Sequence, residues 1–273
     1  AAMVAEADRQ AREAAGGRVD PRRQLRIALG VREDTLGVSY AEMYREPHLL
    51  IVGTAKSGKS ETIGTINDSI AGRYPTVDDG CVVFYDPRRR HLGKIDEKNL
   101  FAYVTNDAEF MDAINRLAQT YDTASRTLPA GIDAETRAAR SWWSGPEVFI
   151  LVDDYHLVAN INAGAAAPAI HQMENWVANE PLARGLHFVI ARSSENLAIQ
   201  AVRDPIIKRL LGDLAPTVML SGDKYDGQIA DVKFERFGIP GRARYIQATF
   251  ARKDRIQVAW SGVLDETDDL FSD

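Results

Sequence analysis

The sequence predicts an α/β fold: a mainly parallel central sheet with helices on both faces and an antiparallel edge. Three observations predict it. Short, wholly apolar runs recur, such as Leu49-Leu50-Ile51-Val52 and Phe149-Ile150-Leu151-Val152; stretches of helical length separate them; and a glycine-rich turn joins one run to the helix after it. A strand that is apolar at every position is buried on both faces, and that happens where helices cover both sides of a parallel sheet.

In chain order, residues 1 to 16 are alanine-rich with Glu6, Arg9, Arg12 and Glu13, and Gly16-Gly17 breaks the pattern, so residues 1–20 read as a linker helix or chain edge. A short strand is expected at Leu25 to Val31. Glu46-Pro47 punctuates the chain before the strand at His48 to Val52, which Gly53 bounds. A helix follows from Lys59 to Tyr74, then a strand at Cys81 to Asp86 and a helix from Ala108 to Arg126. A loop through Pro129 and Gly131 leads to a strand at Val148 to Asp153. Next come a helix from Ala167 to Asn179, a strand at His187 to Ala191, a helix near Pro205 to Leu211 and a strand at Thr217 to Leu220. Arg242 to Phe250 and Arg255 to Trp260 read as an antiparallel pair at one edge of the sheet. Residues 21–262 therefore read as one α/β domain, and 263–273 as an acidic tail expected to fray.

Composition narrows the function classes. The 273-residue chain has a formal net charge of −6, which gives no general attraction to phosphate backbones, so a nucleic-acid role would need a local basic patch. No stretch approaches the roughly 18 to 20 consecutive apolar residues of a membrane span, and the N-terminus lacks a signal-peptide apolar region. The single cysteine, Cys81, sits in an apolar run and reads as a core residue in a reducing compartment.

The motif G-x-x-x-x-G-K-[ST] spans Gly53, Thr54, Ala55, Lys56, Ser57, Gly58, Lys59 and Ser60, directly after a strand and directly before a helix. Its glycines let the backbone curl so that successive N–H groups point inward, and the helix N-terminus adds partial positive charge, which suits a polyphosphate. Lys59 brings a point charge to the β- and γ-phosphates, and the Ser60 hydroxyl can bind Mg²⁺, so the expected ligand is ATP with Mg²⁺. Glu61 follows where phosphate passes close by; its first-turn position is also favoured by the helix dipole, with the side chain in solvent.

The run Glu147 to Val152 ends in Asp153-Asp154, which resembles a Walker B strand. Asp153 is placed to hold Mg²⁺, and Asp154 occupies the position where such ATPases carry the glutamate that orients the attacking water. Aspartate is one methylene shorter, and a displacement of roughly a bond length costs on the order of 100-fold in rate, so slow hydrolysis is expected. Arg192 and Ser193, after the strand ending at Ala191, are the candidate sensor of the γ-phosphate, with a solvent-facing loop as the alternative. Arg88-Arg89-Arg90 could bind phosphate, donate an arginine finger to a neighbour or form an ordinary solvated loop, and the solvated or subunit-facing reading is favoured. His156, His171 and His187 lack zinc-site spacing, so no metal beyond Mg²⁺ is expected. Trp142-Trp143 reads either as a protein contact or as a loop anchor.

At these residues the chain resembles the FtsK/SpoIIIE family of P-loop ATPases, and within it the last, third module of EccC, the motor of type VII (ESX) secretion. The resemblance runs from Leu25 to Trp260 and includes Leu25 to Asp34, Glu46 to Gly53, Tyr85 to Arg90, Val148 to Tyr155 and Ile239 to Arg244. It implies a RecA-like fold, ATP and Mg²⁺ as ligands, other ATPase modules of the same motor as partners, and a cytoplasmic position in a complex anchored to the membrane by other parts of a longer chain. It further implies recognition of WXG100-type secreted heterodimers through a C-terminal signal entering an apolar groove. Asp153-Asp154 in place of Asp-Glu, and Ala191-Arg192-Ser193 in place of Gln-Arg, depart from the family and argue against fast hydrolysis. Two other readings stand beside this one: a DNA-translocating ATPase, against which the net charge argues, and a non-hydrolysing docking module with ATP as a permanent core ligand.

Overall fold

The computed structural model describes residues 25–120, 130–139, 145–158, 167–178 and 185–260. The expected N-terminal helix, Trp142-Trp143 and the acidic tail lie outside them. The elements in order are β1 (Arg26–Arg32), β2 (Val38–Glu42), β3 (Leu49–Gly53), α1 (Lys59–Arg73), β4 (Gly80–Tyr85), β5 (Leu100–Val104) and α2 (Asp107–Thr120). They continue with α3 (Ala134–Ala139), β6 (Glu147–Val152), α4 (Ala167–Ala178), β7 (Leu186–Ser193), α5 (Leu197–Arg203) and α6 (Pro205–Gly212). The last five are β8 (Thr217–Met219), β9 (Gln228–Ile229), β10 (Val232–Lys233), β11 (Arg242–Gln247) and β12 (Arg252–Val258).

Ten strands form one sheet in the order β2-β1-β12-β11-β8-β3-β7-β6-β4-β5, parallel from β8 to β5 and antiparallel elsewhere. β3, β4 and β6, apolar apart from Glu147 at the start of β6, are buried at every position, as a strand covered on both faces must be. Alternate residues separate into two cores. Leu49, Ile51, Phe84, Phe149 and Val189 meet Ile63, Ile66 and Ile70 of α1. Leu50, Val52, Val83, Ile150 and Ile190 meet Ile114 of α2, Ile170 and Trp176 of α4 and Ile207 of α6. Cys81 is buried in this second core. Asp204 caps α6, its Oδ1 accepting from the Ile207 N–H at 3.0 Å with Pro205 in the first turn.

The antiparallel pair is present but not at the edge. β12 is flanked by β1, and the β1–β2 pair extends the sheet beyond it, so β2 and β5 are the edges. The first strand of the pair ends at Gln247, because Ala248–Phe250 forms a 3-10 turn closed by Ala251 at φ 52°; the second starts at Arg252. Six elements, β2, β5, α3, α5, β9 and β10, were not expected from the sequence; they are short and owe their conformation to neighbours rather than to a strong local pattern.

Just before β3, His48 is buried with Nδ1 accepting from the Phe188 N–H at 3.1 Å, so charging Nδ1 would break that bond. Burial, then the charge of His187, then that of Arg209 push its pKa from 6.5 to about 3. The unfolded chain therefore takes up a proton between those two values that the folded one refuses, and the His48 contribution to stability is lost as pH falls below 6.5. Its expected slope reaches about 1.4 kcal/mol per pH unit. Urea midpoints across that window check this; His48→Gln, which keeps an acceptor but does not titrate, should flatten the profile.

Candidate nucleotide site

The P-loop turn runs from the end of β3 into the start of α1. Lys56 at φ 58° and Gly58 at φ 105° are both left-handed, which curls the chain before the helix. Gly58 is also pressed on Gly241: a Cβ there would lie 2.8 Å from the Gly241 N, and that N–H donates to the Ser57 carbonyl at 2.9 Å. The Ile239 to Gly241 turn thus braces the loop from outside. On its inner side Thr54 donates from N and Oγ1 to the Ser221 carbonyl, at 2.8 and 3.0 Å. Lys59 is 6 % exposed and its Nζ donates to the carbonyls of Gly53 (3.0 Å) and Thr54 (2.6 Å). Burial pulls its pKa down, while Asp154 and then Asp153 pull it back. Ala55, Lys56 and Glu61 are exposed, and Ser60 is half-buried.

Asp153 and Asp154 come directly after β6 at the same end of the sheet. Asp153 is fully buried; burial pushes its pKa up, but hydrogen bonding from His91 and Ser60 outweighs this and the net direction is down. Its Oδ1 accepts from the Asp154 N–H at 2.8 Å and its Oδ2 lies 3.4 Å from His91 Nε2. His91 is wedged against Phe84, with ring centroids 4.9 Å apart. Asp154 sits at φ 49°, ψ 40°, a left-handed conformation that aspartate tolerates.

Arg88, Arg89 and Arg90 are exposed, in line with the solvated reading, but two of the three also reach into the site. Arg88 Nε lies 2.8 Å from Asp154 Oδ2, and Arg90 Nη1 donates to Ser60 Oγ at 2.7 Å and lies 3.8 Å from the same carboxylate. The reason is strand order: β4 pairs with β6, Tyr85 opposite Val152, so the residues just beyond the two strands lie side by side. Sequence reasoning missed His91, whereas for the basic run it offers phosphate binding, second to the favoured solvated reading.

The two sensor candidates are separated. Val52 and Arg192 are partners in register, and Val52 belongs to the core under α2, α4 and α6, so the Arg192 side chain is on that face. It is 2 % exposed, with Nε donating to the Ser193 carbonyl at 2.9 Å; burial pulls its pKa down and the charge of Asp204 opposes that. Ser193 lies opposite Gly53, and its N–H donates to His156 Nδ1 at 3.2 Å.

The donor set suits a polyphosphate with a hard cation. Asp153 Oδ2, with His91 Nε2 at 3.4 Å, and Ser57 Oγ are buried and make no hydrogen bond of good geometry. Among the described residues no group of three or more His, Cys, Asp or Glu side chains could hold a metal; a magnesium ion here would rest on one hydroxyl, one carboxylate, water and substrate oxygens. Fold and site together define a RecA-like P-loop ATPase.

No protein-family model matches the chain. ESX-1 secretion system protein EccCb1 of Mycolicibacterium smegmatis is 34% identical over 218 residues, which covers 78% of this chain and 35% of that protein. The cytoplasmic domain of the type VII secretion ATPase EccC of Thermomonospora curvata superposes with a TM-score of 0.75 at 27% identity, over 88% of this chain and 27% of that one. ATPases 2 and 3 of the same EccC, solved in complex with a signal sequence peptide, superpose at 0.74 with 26% identity, over 92% of this chain and 43% of that one. The chain belongs to the EccC family as an FtsK-like ATPase module of type VII secretion. It spans about a third of the length of the EccCb1 relative.

Proposed function

We propose that this chain binds Mg-ATP through Gly53 to Ser60, hydrolyses it slowly, and acts as the terminal module of a type VII secretion motor on the cytoplasmic side. The observation that carries this reading is the convergence, at one end of the parallel strands, of Lys59 and Ser60 with Asp153 and Asp154, the last two separated from the P-loop strand only by β7. Ser60 and Asp153 would hold the magnesium ion, which when bound neutralises charge on the β- and γ-phosphates. Lys59 serves the same oxygens, and Asp154 holds the attacking water. Glu61, exposed in the first turn, adds no favourable contact to phosphate. The module recognises WXG100-type secreted heterodimers by their C-terminal signal and works beside other modules of its motor; the peptide-bound EccC of T. curvata supports this part.

Calorimetry with Mg-ATP, single-turnover and steady-state hydrolysis on the unaltered chain test the core of the proposal. Binding well below millimolar is expected, with turnover of about 0.1 s⁻¹ or less, some 100-fold below a typical enzyme. No binding at millimolar ATP would refute it. Affinity for a secreted heterodimer with and without its C-terminal signal tests the recognition part.

A further inference from the structure

Arg88 and Arg90 face the P-loop from outside the motif. Arg89 between them adopts φ 56°, uncommon for a residue with a side chain, and this turn sends its two neighbours to the same side. The turn is pinned from below. Asp86 accepts the His91 N–H at 2.7 Å through Oδ2 and the Tyr103 hydroxyl at 2.6 Å, and its carbonyl accepts the Arg89 N–H at 3.1 Å. His91 then anchors the far end, buried against Phe84 and over Gly64. The backbone is fixed while both arginine side chains are about half-exposed, at 48% and 47%, so their ends can turn.

We infer that Arg88 and Arg90 are phosphate-contacting residues acting in cis, whose guanidinium groups grip the γ-end of the bound triphosphate; this rests on the reading of the P-loop as an ATP site. Three cations, Lys59, Arg88 and Arg90, surround the carboxylates of Asp153 and Asp154, leaving positive charge that a triphosphate would balance. Arg90 donates to Ser60 Oγ, the oxygen a magnesium ion needs. A guanidinium and a divalent cation repel one another at a single hydroxyl, so a magnesium ion held by Ser60 would leave Arg90 free to donate to phosphate oxygens instead. Arg88, at Asp154, stands at the position of the attacking water and hence beside the γ-phosphate rather than the α. The planar fork of arginine matches phosphate oxygens in pairs, which a lysine cannot do.

The test measures Mg-ATP and Mg-ADP affinity by calorimetry on the full chain, on Arg88→Ala, Arg90→Ala and Arg90→Lys, with thermal melts as a check of folding. Both alanine variants should melt like the unaltered chain, since neither side chain is buried. Each should lose about 10- to 100-fold in ATP affinity with ADP affinity changed less than about 3-fold, and lysine should restore only part of the loss. ATP affinity that is unchanged or tighter in both alanine variants would overturn the inference while leaving the P-loop reading intact. An equal loss for ATP and ADP would overturn the assignment to the γ-end. If the unaltered chain binds neither nucleotide, both the inference and the reading beneath it fail.

Discussion

Replacing Lys59 by alanine is expected to weaken Mg-ATP binding by at least about 100-fold, because it removes two charged contacts, to the β- and γ-phosphates, each worth about 1.5–3 kcal/mol. The fold should survive. Lys59 is almost fully buried in a site where burial alone disfavours its charge, so its removal relieves a desolvation cost as it deletes two hydrogen bonds. One of its two partner carbonyls keeps a donor: Gly53 O also accepts from the Ser194 N–H at 3.1 Å. Calorimetry against Mg-ATP, with a thermal melt alongside, separates lost binding from lost structure. Equal affinity in the alanine variant would mean that the nucleotide does not sit in this turn.

The second expectation concerns rate rather than affinity. Asp154→Glu should raise single-turnover hydrolysis by about 10- to 100-fold, the range set by moving a carboxylate through roughly 1 Å. Two features of the site oppose the gain. The left-handed backbone at φ 49° suits aspartate better than glutamate, a cost of about 1 kcal/mol. The Arg88 contact at 2.8 Å also holds the carboxylate where it is. A longer side chain can keep that ion pair and still reach further over the P-loop, so a net increase with ATP affinity unchanged is the predicted result. A rate that stays flat or falls would remove Asp154 from the water-orienting role.

Much of the fold was legible because it is written in local pattern. The five apolar residues of β3, the six of β4 and the five that follow Glu147 in β6 cannot face water on either side, so they were found to within a residue or two. The Lys59 helix start is set by the turn before it, with Gly58 as the residue able to reach φ 105°. The edge strands β2 and β5 were not legible, since an edge strand is half-exposed and its pattern is weak.

What the sequence determined by itself is the P-loop, the paired aspartates after an apolar strand and the α/β alternation, all of which depend on residues close together in the chain. The tertiary structure alone decided that β4 lies beside β6, and so that Arg88 reaches Asp154 and that Arg90 reaches Ser60 across 30 positions of chain. It also decided that Arg192 turns into the helix-covered core face while Ser193 stays opposite Gly53, and that the antiparallel pair is enclosed by β1 and β2. Strand order and pleat phase are set by how the two cores pack as wholes. No window of sequence carries that information, because every strand able to occupy a central position looks equally apolar.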